Sequence, residues 1–252
     1  MKRKILFTVI LIAGVYGFSQ KIYDDFYKFK AELYNTEIET IQNSLENYKN
    51  KIAAGSLTPE EQITLKNFIT LEEINVLSRN KDSADKKKIY IMLKSQNDES
   101  IAFMEGKKKS DLGKWFLLSL GDIKSRFLQF LSEKKLFTEA HETQQFYLNA
   151  IKKDKKFSPA HLSYGLWLFF APPIVGGGYE NALKEFSKAV SSAKNNYEKY
   201  QTLIYRSQVY FALDNIKASE ADLKNAKKLI PNEIFTDQIK ELNKNDKIFF
   251  EQ

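Results

Sequence analysis

The two histidines are the first candidates for chemistry, because an imidazole can serve as a metal ligand or as a general base. They are His141 and His161, in a chain that has no cysteine. His141 and Glu142 match the start of the zinc-protease helix motif, which needs a second histidine four positions after the first. Gln145 stands at that position. Two isolated histidines without cysteine therefore predict no metal site.

Other catalytic and nucleotide-binding patterns are also incomplete. Gly176 to Gly178 form a glycine run, but the Lys-Ser or Lys-Thr pair of a phosphate-binding loop does not follow it. No serine stands in a Gly-x-Ser-x-Gly elbow. Glu72 and Glu73 occupy adjacent helix positions, so their carboxylates point apart and are unsuited to paired acid–base work. The sequence predicts a protein that is not an enzyme and holds no cofactor.

The composition indicates an all-helical chain with a substantial core. Its 252 residues include 13 Tyr and 19 Phe, but only 10 Gly and 5 Pro. A many-stranded sandwich would need a turn about every ten residues, which so few chain breakers do not provide. The lack of cysteine excludes disulfides and a lipid-modified N-terminal cysteine. It also fits an oxidising compartment.

Residues 1–19 have the pattern of a secretory signal peptide. Three basic residues at positions 2–4 precede an apolar run from Ile5 to Gly17, and Gly17 and Ser19 are small, which predicts cleavage after Ser19. The alternative is an uncleaved anchor. A helix of this length reaches only about 20 Å, however, whereas the hydrocarbon core of a membrane is about 30 Å thick. We expect a bacterial protein exported to the periplasm or secreted, with membrane contact only through this segment if it remains.

The charge of the chain gives little reason to expect a nucleic-acid partner. Removal of residues 1–19 takes away three cations, so the formal net charge falls from +7 to +4. Short lysine runs such as those at 86–88 and 107–109 are typical of solvated helix ends. Export also separates the protein from nucleic acid.

Residues 20–110 are expected to form a helical region. Apolar residues recur every three to five positions over 22–52, which predicts one long amphipathic helix. Thr58, Pro59 and Glu61 then form a capping box with proline at the first helical position, so the next helix begins there.

The following stretch is less regular. Residues 83–94 and 98–106 are predicted as two short helices that separate at Gln96 and Asn97. A further helix is expected to begin at Ser110 or Asp111 and to run to about Ser132.

An internal repeat becomes visible in the second half of the chain. Its clearest copy reads Leu203-x2-Arg206-Ser207-x2-Tyr210, then Ser219-x3-Leu223-x2-Ala226, and closes with Pro231. Small side chains at these spacings let two helices approach closely, large ones fill the space between hairpins, and proline starts the next helix. The pattern resembles the tetratricopeptide repeat (TPR) family.

Two further copies precede this one. The second reads Tyr164-Gly165-x2-Leu168 and Ala182-x3-Phe186-x2-Ala189, with a longer hairpin loop and with Lys194 in place of the closing proline. The third copy is degenerate and reads Trp115-x2-Leu118-Ser119 and Thr143-x3-Tyr147-x2-Ala150, with Asp122 at a position that is usually aromatic. About three repeats are enough to bury a continuous core.

The resemblance implies an all-α fold in which antiparallel helical hairpins stack as a TPR-like right-handed solenoid. It divides the chain into a signal peptide (1–19), an N-terminal helical region packed on the solenoid (20–110), about three TPR-like repeats (111–231) and a C-terminal capping helix (232–252). Whether residues 20–110 add further hairpins stays open. The residues expected to pack the repeats are Trp115, Leu118, Gly165, Ala182, Phe186, Ala189, Tyr210, Leu223, Ala226 and Pro231.

In the TPR family, the first helices of successive hairpins line a concave groove that takes the ligand. Carried over position by position, the groove residues are Phe116, Leu120, Ile123, Leu162, Leu166, Phe169, Gln201, Ile204, Gln208 and Phe211. This groove would be mostly apolar, whereas peptide-binding grooves of the family usually present polar and charged residues. Either the N-terminal helices, especially 22–52, fold into the groove and bury it, or it binds an apolar ligand or a hydrophobic partner helix.

The resemblance implies a scaffold for protein–protein interaction in the cell envelope, with a protein partner that the sequence does not identify. The segment from Ala171 to Ala182 also resembles the proline-then-glycine hairpin of the TatT family, the TPR component associated with TRAP transporters. That resemblance implies oligomerisation, a periplasmic solute-binding protein as partner and, as an alternative ligand, an apolar small molecule. Members of that family commonly carry a lipidated cysteine, which this chain lacks.

Overall fold

A computed structural model describes residues 20–33, 35–36, 38–79, 85–230 and 233–251. The predicted signal peptide and Pro231 lie outside the described residues. The described chain is all-α and has no β-strand, as predicted. Its helices are α1 (20–33), α2 (Ile38–Ala53), α3 (Pro59–Arg79), α4 (Lys86–Met104), α5 (Lys114–Phe127), α6 (Glu133–Lys153), α7 (Ser158–Phe170), α8 (Tyr179–Ser192), α9 (Asn196–Ala212), α10 (Ile216–Lys227) and α11 (Phe235–Lys244). Short 3₁₀ turns lie at Leu128–Phe130, Pro173–Val175 and Phe249–Glu251.

Helices α3 to α10 form four stacked antiparallel hairpins, in which α3 pairs with α4, α5 with α6, α7 with α8, and α9 with α10. The first helices of successive hairpins also contact one another, α3 with α5, α5 with α7 and α7 with α9. These four helices therefore form an inner layer and their partners an outer layer. The predicted stack of helical hairpins is confirmed, and the α3–α4 hairpin adds one unit before the three predicted copies.

Small residues permit close contact between the helices of a hairpin. A Cβ atom placed on Gly165 would lie 3.2 Å from three ring atoms of Phe186, so α7 and α8 approach more closely there than two side chains would allow. Ser158 Oγ also donates a hydrogen bond across the same hairpin to the carbonyl oxygen of Ala189, at 2.9 Å. The hairpin thus forms because Gly165 faces the ring of Phe186, and Ala189 lies opposite Ser158.

The other residues predicted to pack the repeats lie mostly in the core. Those that are buried are Trp115, Leu118, Ala182, Phe186, Ala189, Leu223 and Ala226. Tyr210 is half-buried, and the guanidinium carbon of Arg206 lies 5.5 Å from its ring centroid. Arg206 in turn makes two hydrogen bonds to the carboxylate of Asp222 at 2.6 and 2.7 Å, which joins α9 to α10.

The single helix expected over residues 22–52 is wrong, because the chain turns between α1 and α2. Asn35 lies in this turn, and its side-chain oxygen accepts a hydrogen bond from the backbone N–H of Ile234 at 3.0 Å. Apolar residues continue at helical spacing on both sides of the turn, since α1 and α2 each bury one face. Periodicity alone therefore did not reveal the break.

The two short helices expected over 83–106 are also wrong, because α4 is continuous from Lys86 to Met104. The polar residues taken as a separation are partly buried within it, with Gln96 in the core. One turn later, Ser100 Oγ donates to Asn67 Oδ1 at 3.0 Å, and Asn67 Nδ2 donates to Ser119 Oγ at 3.0 Å. Polar residues here connect three helices and do not mark a loop.

The predicted start of α3 is confirmed, whereas α5 starts later than expected. Glu61 N–H donates to Thr58 Oγ1 at 3.2 Å and Thr58 N–H donates to Glu61 Oε2 at 2.9 Å, which is a reciprocal capping box. Helix α5 begins at Lys114 and not at 110 or 111, and the N–H of Gly113 donates to Glu60 Oε1 at 2.9 Å.

No helix in the described part of the chain has the length and apolar character needed to cross a membrane. Helix α11 lies within the predicted C-terminal capping region, and it buries Phe235 and Ile239 against the last hairpin.

Candidate functional site: a cavity on the concave face

A cavity of about 1280 Å³ lies on the concave side of the hairpin stack. Helices α3, α5, α7 and α9 contribute its floor, and α6 contributes one wall. Helices α1 and α11 and the 3₁₀ turn Phe249–Glu251 contribute the opposite side. The cavity therefore lies between the repeats and the two segments that flank them in sequence.

Helix α1 packs inside the concave face through aromatic side chains. Tyr23 stacks on Trp115 with ring centroids 4.2 Å apart, and Phe26 stacks on Phe68 at 5.1 Å. Asp24, also on α1, accepts a hydrogen bond at its Oδ1 from Asn195 Nδ2 at 3.1 Å. One of the two alternatives left open by the sequence thus holds in part, since an N-terminal helix enters the groove but leaves a large cavity beside it.

The turn Phe249–Glu251 closes the groove near the last hairpins. Phe250 stacks on Tyr205 at 5.6 Å and meets Phe169 edge to face at 4.7 Å. The backbone N–H of Phe249 donates to Gln208 Oε1 at 2.9 Å. Both chain segments that flank the repeats therefore narrow the groove to the cavity described above.

The groove residues carried over from the repeat pattern separate into two sets. Leu162, Leu166 and Gln201 line the cavity. The others lie in the hydrophobic core or against the flanking segments: Phe116, Leu120, Ile123, Phe169, Ile204, Gln208 and Phe211. On α5 the cavity is lined instead by Asp122, Ser125 and Arg126, on a face rotated from the expected one.

One wall of the cavity comes from α6, which is the second helix of its hairpin and belongs to the outer layer. On α6, the lining residues are Glu133, Leu136, Phe137, Ala140, His141, Gln144 and Tyr147. These positions recur at intervals of one, three and four, so they share a helix face. That periodicity could have indicated a second contact surface on α6 in addition to the one that packs on α5.

The polar groups of the cavity include an ion pair that links α1 to α3. Lys30 Nζ lies 2.9 Å from Glu72 Oε1, and both side chains are largely buried. Burial alone would lower the pKa of Lys30, but the neighbouring carboxylate of Glu72 outweighs it and holds this pKa above its usual value. Lys30 therefore keeps its positive charge at neutral pH, and the ion pair fixes α1 to the floor of the cavity.

Asp122 is a further ionisable group on the cavity floor. Tyr147 Oη donates a hydrogen bond to its Oδ1 at 3.0 Å. Burial raises the pKa of Asp122 to about 6, although Ser163, Lys30 and Tyr147 act in the opposite direction. This carboxyl group can therefore accept a hydrogen bond from a ligand and, at mildly acidic pH, donate one.

The two histidines lie in different environments. His161 is buried, with Nδ1 2.7 Å from Glu185 Oε2 and Nε2 3.0 Å from the carbonyl oxygen of Lys155. Burial opposes ionisation of Glu185, yet the hydrogen bonds from His161 and Lys188 hold its pKa below the usual value. His161 thus joins α7 to α8, and His141 faces the cavity. The described residues contain no group of three or more His, Asp or Glu side chains placed to hold a metal ion.

Comparisons with known proteins support the fold. No family model and no curated protein sequence matches the chain. Among solved structures, it is similar to a thermophilic TPR protein from Thermus thermophilus, with a TM-score of 0.51, 9% sequence identity, and coverage of 82% of this chain and 91% of that chain. At this identity the similarity shows the fold alone. The chain has a TPR-like stack of helical hairpins.

Proposed function

We propose that this protein is a non-catalytic, exported scaffold of the bacterial cell envelope that binds a segment of a partner protein in the concave cavity. The observation that carries the proposal is the cavity itself, because it opens on the face that stacked hairpins offer to a ligand. Its volume of about 1280 Å³ exceeds the usual range of small-molecule pockets, roughly 300–1,000 Å³.

The walls of the cavity suit an amphipathic helix. Leu162, Leu166 and Trp167 present apolar surface from α7, while Glu72 and Asp122 supply charged hydrogen-bond acceptors on the floor. A helix placed in such a groove buries anchors at positions i, i+3, i+4 and i+7 and leaves its polar face toward the charged groups. Helix α1, which already occupies part of the groove, follows the same principle within the chain.

The export part of the proposal is supported by the signal-peptide pattern of residues 1–19 and by the absence of cysteine. The non-catalytic part is supported by two pairs of polar groups in the cavity. Lys30 is bonded to Glu72, and Tyr147 is bonded to Asp122, so the nucleophile–base geometry of a catalytic site is not formed by these residues.

A second candidate function is a TatT-like carrier of an apolar small molecule, working with a solute-binding protein. It is favoured by the enclosure of the cavity, because α1 and the turn Phe249–Glu251 both shield apolar side chains from water. The resemblance of the segment from Ala171 to Ala182 to that family also supports it.

The two candidates can be separated by the class of molecule that binds. Residues 20–252, which contain every described helix, would be used to select peptides from a random library displayed on phage, and titrated separately with a fluorescent hexadecanoic acid analogue. The scaffold proposal predicts enriched peptides with apolar residues at helical spacing. Their Kd values should lie in the micromolar range, which corresponds to a binding free energy of about −8 kcal/mol. Tight binding of the fatty-acid analogue without any enriched peptide would contradict it and favour the carrier.

A further inference from the structure

Exposed apolar side chains are concentrated along one edge of the hairpin stack. Within the described residues, ten large hydrophobic side chains are exposed, and eight of them lie in the turn between the two helices of a hairpin or within two helical turns of it. We call this side of the stack the tip edge. Its apolar members are Tyr90 and Ile91 on α4, Leu136 and Phe137 on α6, Phe170, Ile174 and Tyr179 around the turn between α7 and α8, and Ile216 on α10.

Contacts between neighbouring elements place these tips side by side. The ring of Tyr90 lies 5.7 Å from that of Phe127 and 5.6 Å from that of Phe130, which joins the tips of the first and second hairpins. Gln144 Nε2 donates to Tyr164 Oη at 3.2 Å across the antiparallel pair α6–α7. Because the two helices are antiparallel, Phe137, seven residues before Gln144, lies level with Ala171, seven residues after Tyr164. The tips of the second and third hairpins are therefore neighbours.

The turn between α7 and α8 exposes an isoleucine side chain to water, and hydrogen bonds and close packing fix the backbone of this turn. Ile174 is 89% exposed. The N–H groups of Gly176 and Gly178 donate to the carbonyl oxygens of Pro173 and Leu168 at 2.9 and 2.8 Å. Gly177 has no room for a side chain, because an added Cβ would lie 1.8 Å from the carbonyl oxygen of Ala171. The turn is therefore preorganised, and its most exposed side chain is apolar.

Exposed lysines lie beside the apolar side chains at three of the four tips. They are Lys86, Lys87 and Lys88 at the start of α4, Lys134 and Lys135 at the start of α6, and Lys217 at the start of α10. None of these six ammonium groups makes an ion pair with a described residue, in contrast to Lys114 and Lys124 elsewhere on the stack. The described acidic residues at these tips are Asp85, Glu133, Glu180, Asp214 and Glu220, so the lysines are in excess.

We propose that the tip edge is a docking surface for an anionic lipid bilayer. Apolar and aromatic side chains on separate protruding tips can enter the boundary between headgroups and acyl chains, which is an apolar medium about 5–10 Å below the surface. The lysines beside them extend their ammonium groups to anionic headgroups. Because the apolar side chains lie on separate tips, a deformable bilayer can receive all of them together.

The proposal is independent of what the cavity binds, although the two surfaces adjoin. Leu136, Phe137 and Phe170 belong to the tip edge and also line the cavity. Docking by this edge would therefore turn one side of the cavity toward the bilayer.

Vesicle binding of residues 20–252 tests the proposal. The probes are vesicles of phosphatidylglycerol and phosphatidylcholine in equal parts, and vesicles of phosphatidylcholine alone, with bound protein measured by flotation. We expect binding to the anionic vesicles, and we expect Ile174→Asp to weaken it at least tenfold. The control is Leu148→Asp, since Leu148 is 36% exposed but lies on α6 away from the tips, and this change should leave binding unaltered.

A matched charge exchange tests the role of the lysines. Lys134→Glu with Lys135→Glu should weaken binding to the anionic vesicles by more than tenfold. Lys152→Glu with Lys153→Glu, at the opposite end of the same helix, changes the net charge equally and should have a much smaller effect.

Three results would overturn the proposal. One is wild-type protein that does not float with anionic vesicles, and another is equal binding by Ile174→Asp and Leu148→Asp. The third is a wild-type dimer in analytical ultracentrifugation that Ile174→Asp converts to a monomer, because the edge would then be an interface between two copies of this chain.

Discussion

Replacing Phe186 by alanine is expected to lower the free energy of unfolding by about 3–5 kcal/mol. Phe186 is fully buried, and its ring packs against the position of Gly165, where α7 and α8 are in closest contact. Removal of the ring opens a cavity, because Gly165 opposite it has no side chain that could fill the space. Urea unfolding followed by circular dichroism measures the loss.

Phe137→Ala is the matched control for this change. Phe137 is 67% exposed, so the same substitution should alter the unfolding free energy by less than about 0.5 kcal/mol. Equal effects of the two substitutions would contradict the hairpin packing described above.

Replacing Glu72 by glutamine is the second change with a large expected effect, about 3 kcal/mol of destabilisation. The substitution leaves the ammonium group of Lys30 buried beside a neutral amide, and it removes the ion pair that fixes α1 to α3. Because Glu72 is the main group that raises the pKa of Lys30 against the effect of burial, the variant should also lower that pKa. Urea unfolding at neutral pH measures the change in stability.

Two further variants make this prediction specific. Glu73→Gln removes a carboxylate that pairs with Lys49 on a more exposed surface, so it should cost no more than about 1 kcal/mol. Lys30→Met combined with Glu72→Gln should recover part of the loss, because no unpaired charge then remains. A loss in Glu72→Gln no greater than that in Glu73→Gln would show that α1 is not docked as described.

The hairpin stack could be predicted from sequence because its determinants are local. Ala182, Phe186 and Ala189 combine small and large side chains at fixed helical spacing, and this pattern directly encodes the approach of one helix to another. The same reasoning found the capping box at Thr58. It did not find the α3–α4 hairpin, in which a buried polar cluster around Asn67 replaces the small apolar residues of the repeat pattern.

The cavity was harder to predict because it depends on contacts between residues distant in sequence. The placement of α1 rests on pairs such as Tyr23 with Trp115 and Asp24 with Asn195, and helical periodicity carries no information about such partners. The repeat pattern also assumes equivalent hairpins. Here the cavity-facing side of α5 is rotated toward Asp122, so Phe116 and Leu120 carried over from the family lie in the core.

The central claim is that the concave cavity is the binding site, and an affinity comparison tests it most directly. Leu166 lines the cavity, whereas Leu148 lies on the surface away from it, so Leu166→Trp fills binding space and Leu148→Trp does not. The measurement is the Kd of a library-selected peptide for both variants and for the unaltered protein. We predict that Leu166→Trp weakens the affinity at least tenfold, which is a loss of about 1.4 kcal/mol in binding free energy, and that Leu148→Trp leaves it unaltered. Equal affinities for the two variants would contradict the claim and place the binding site elsewhere on the hairpin stack.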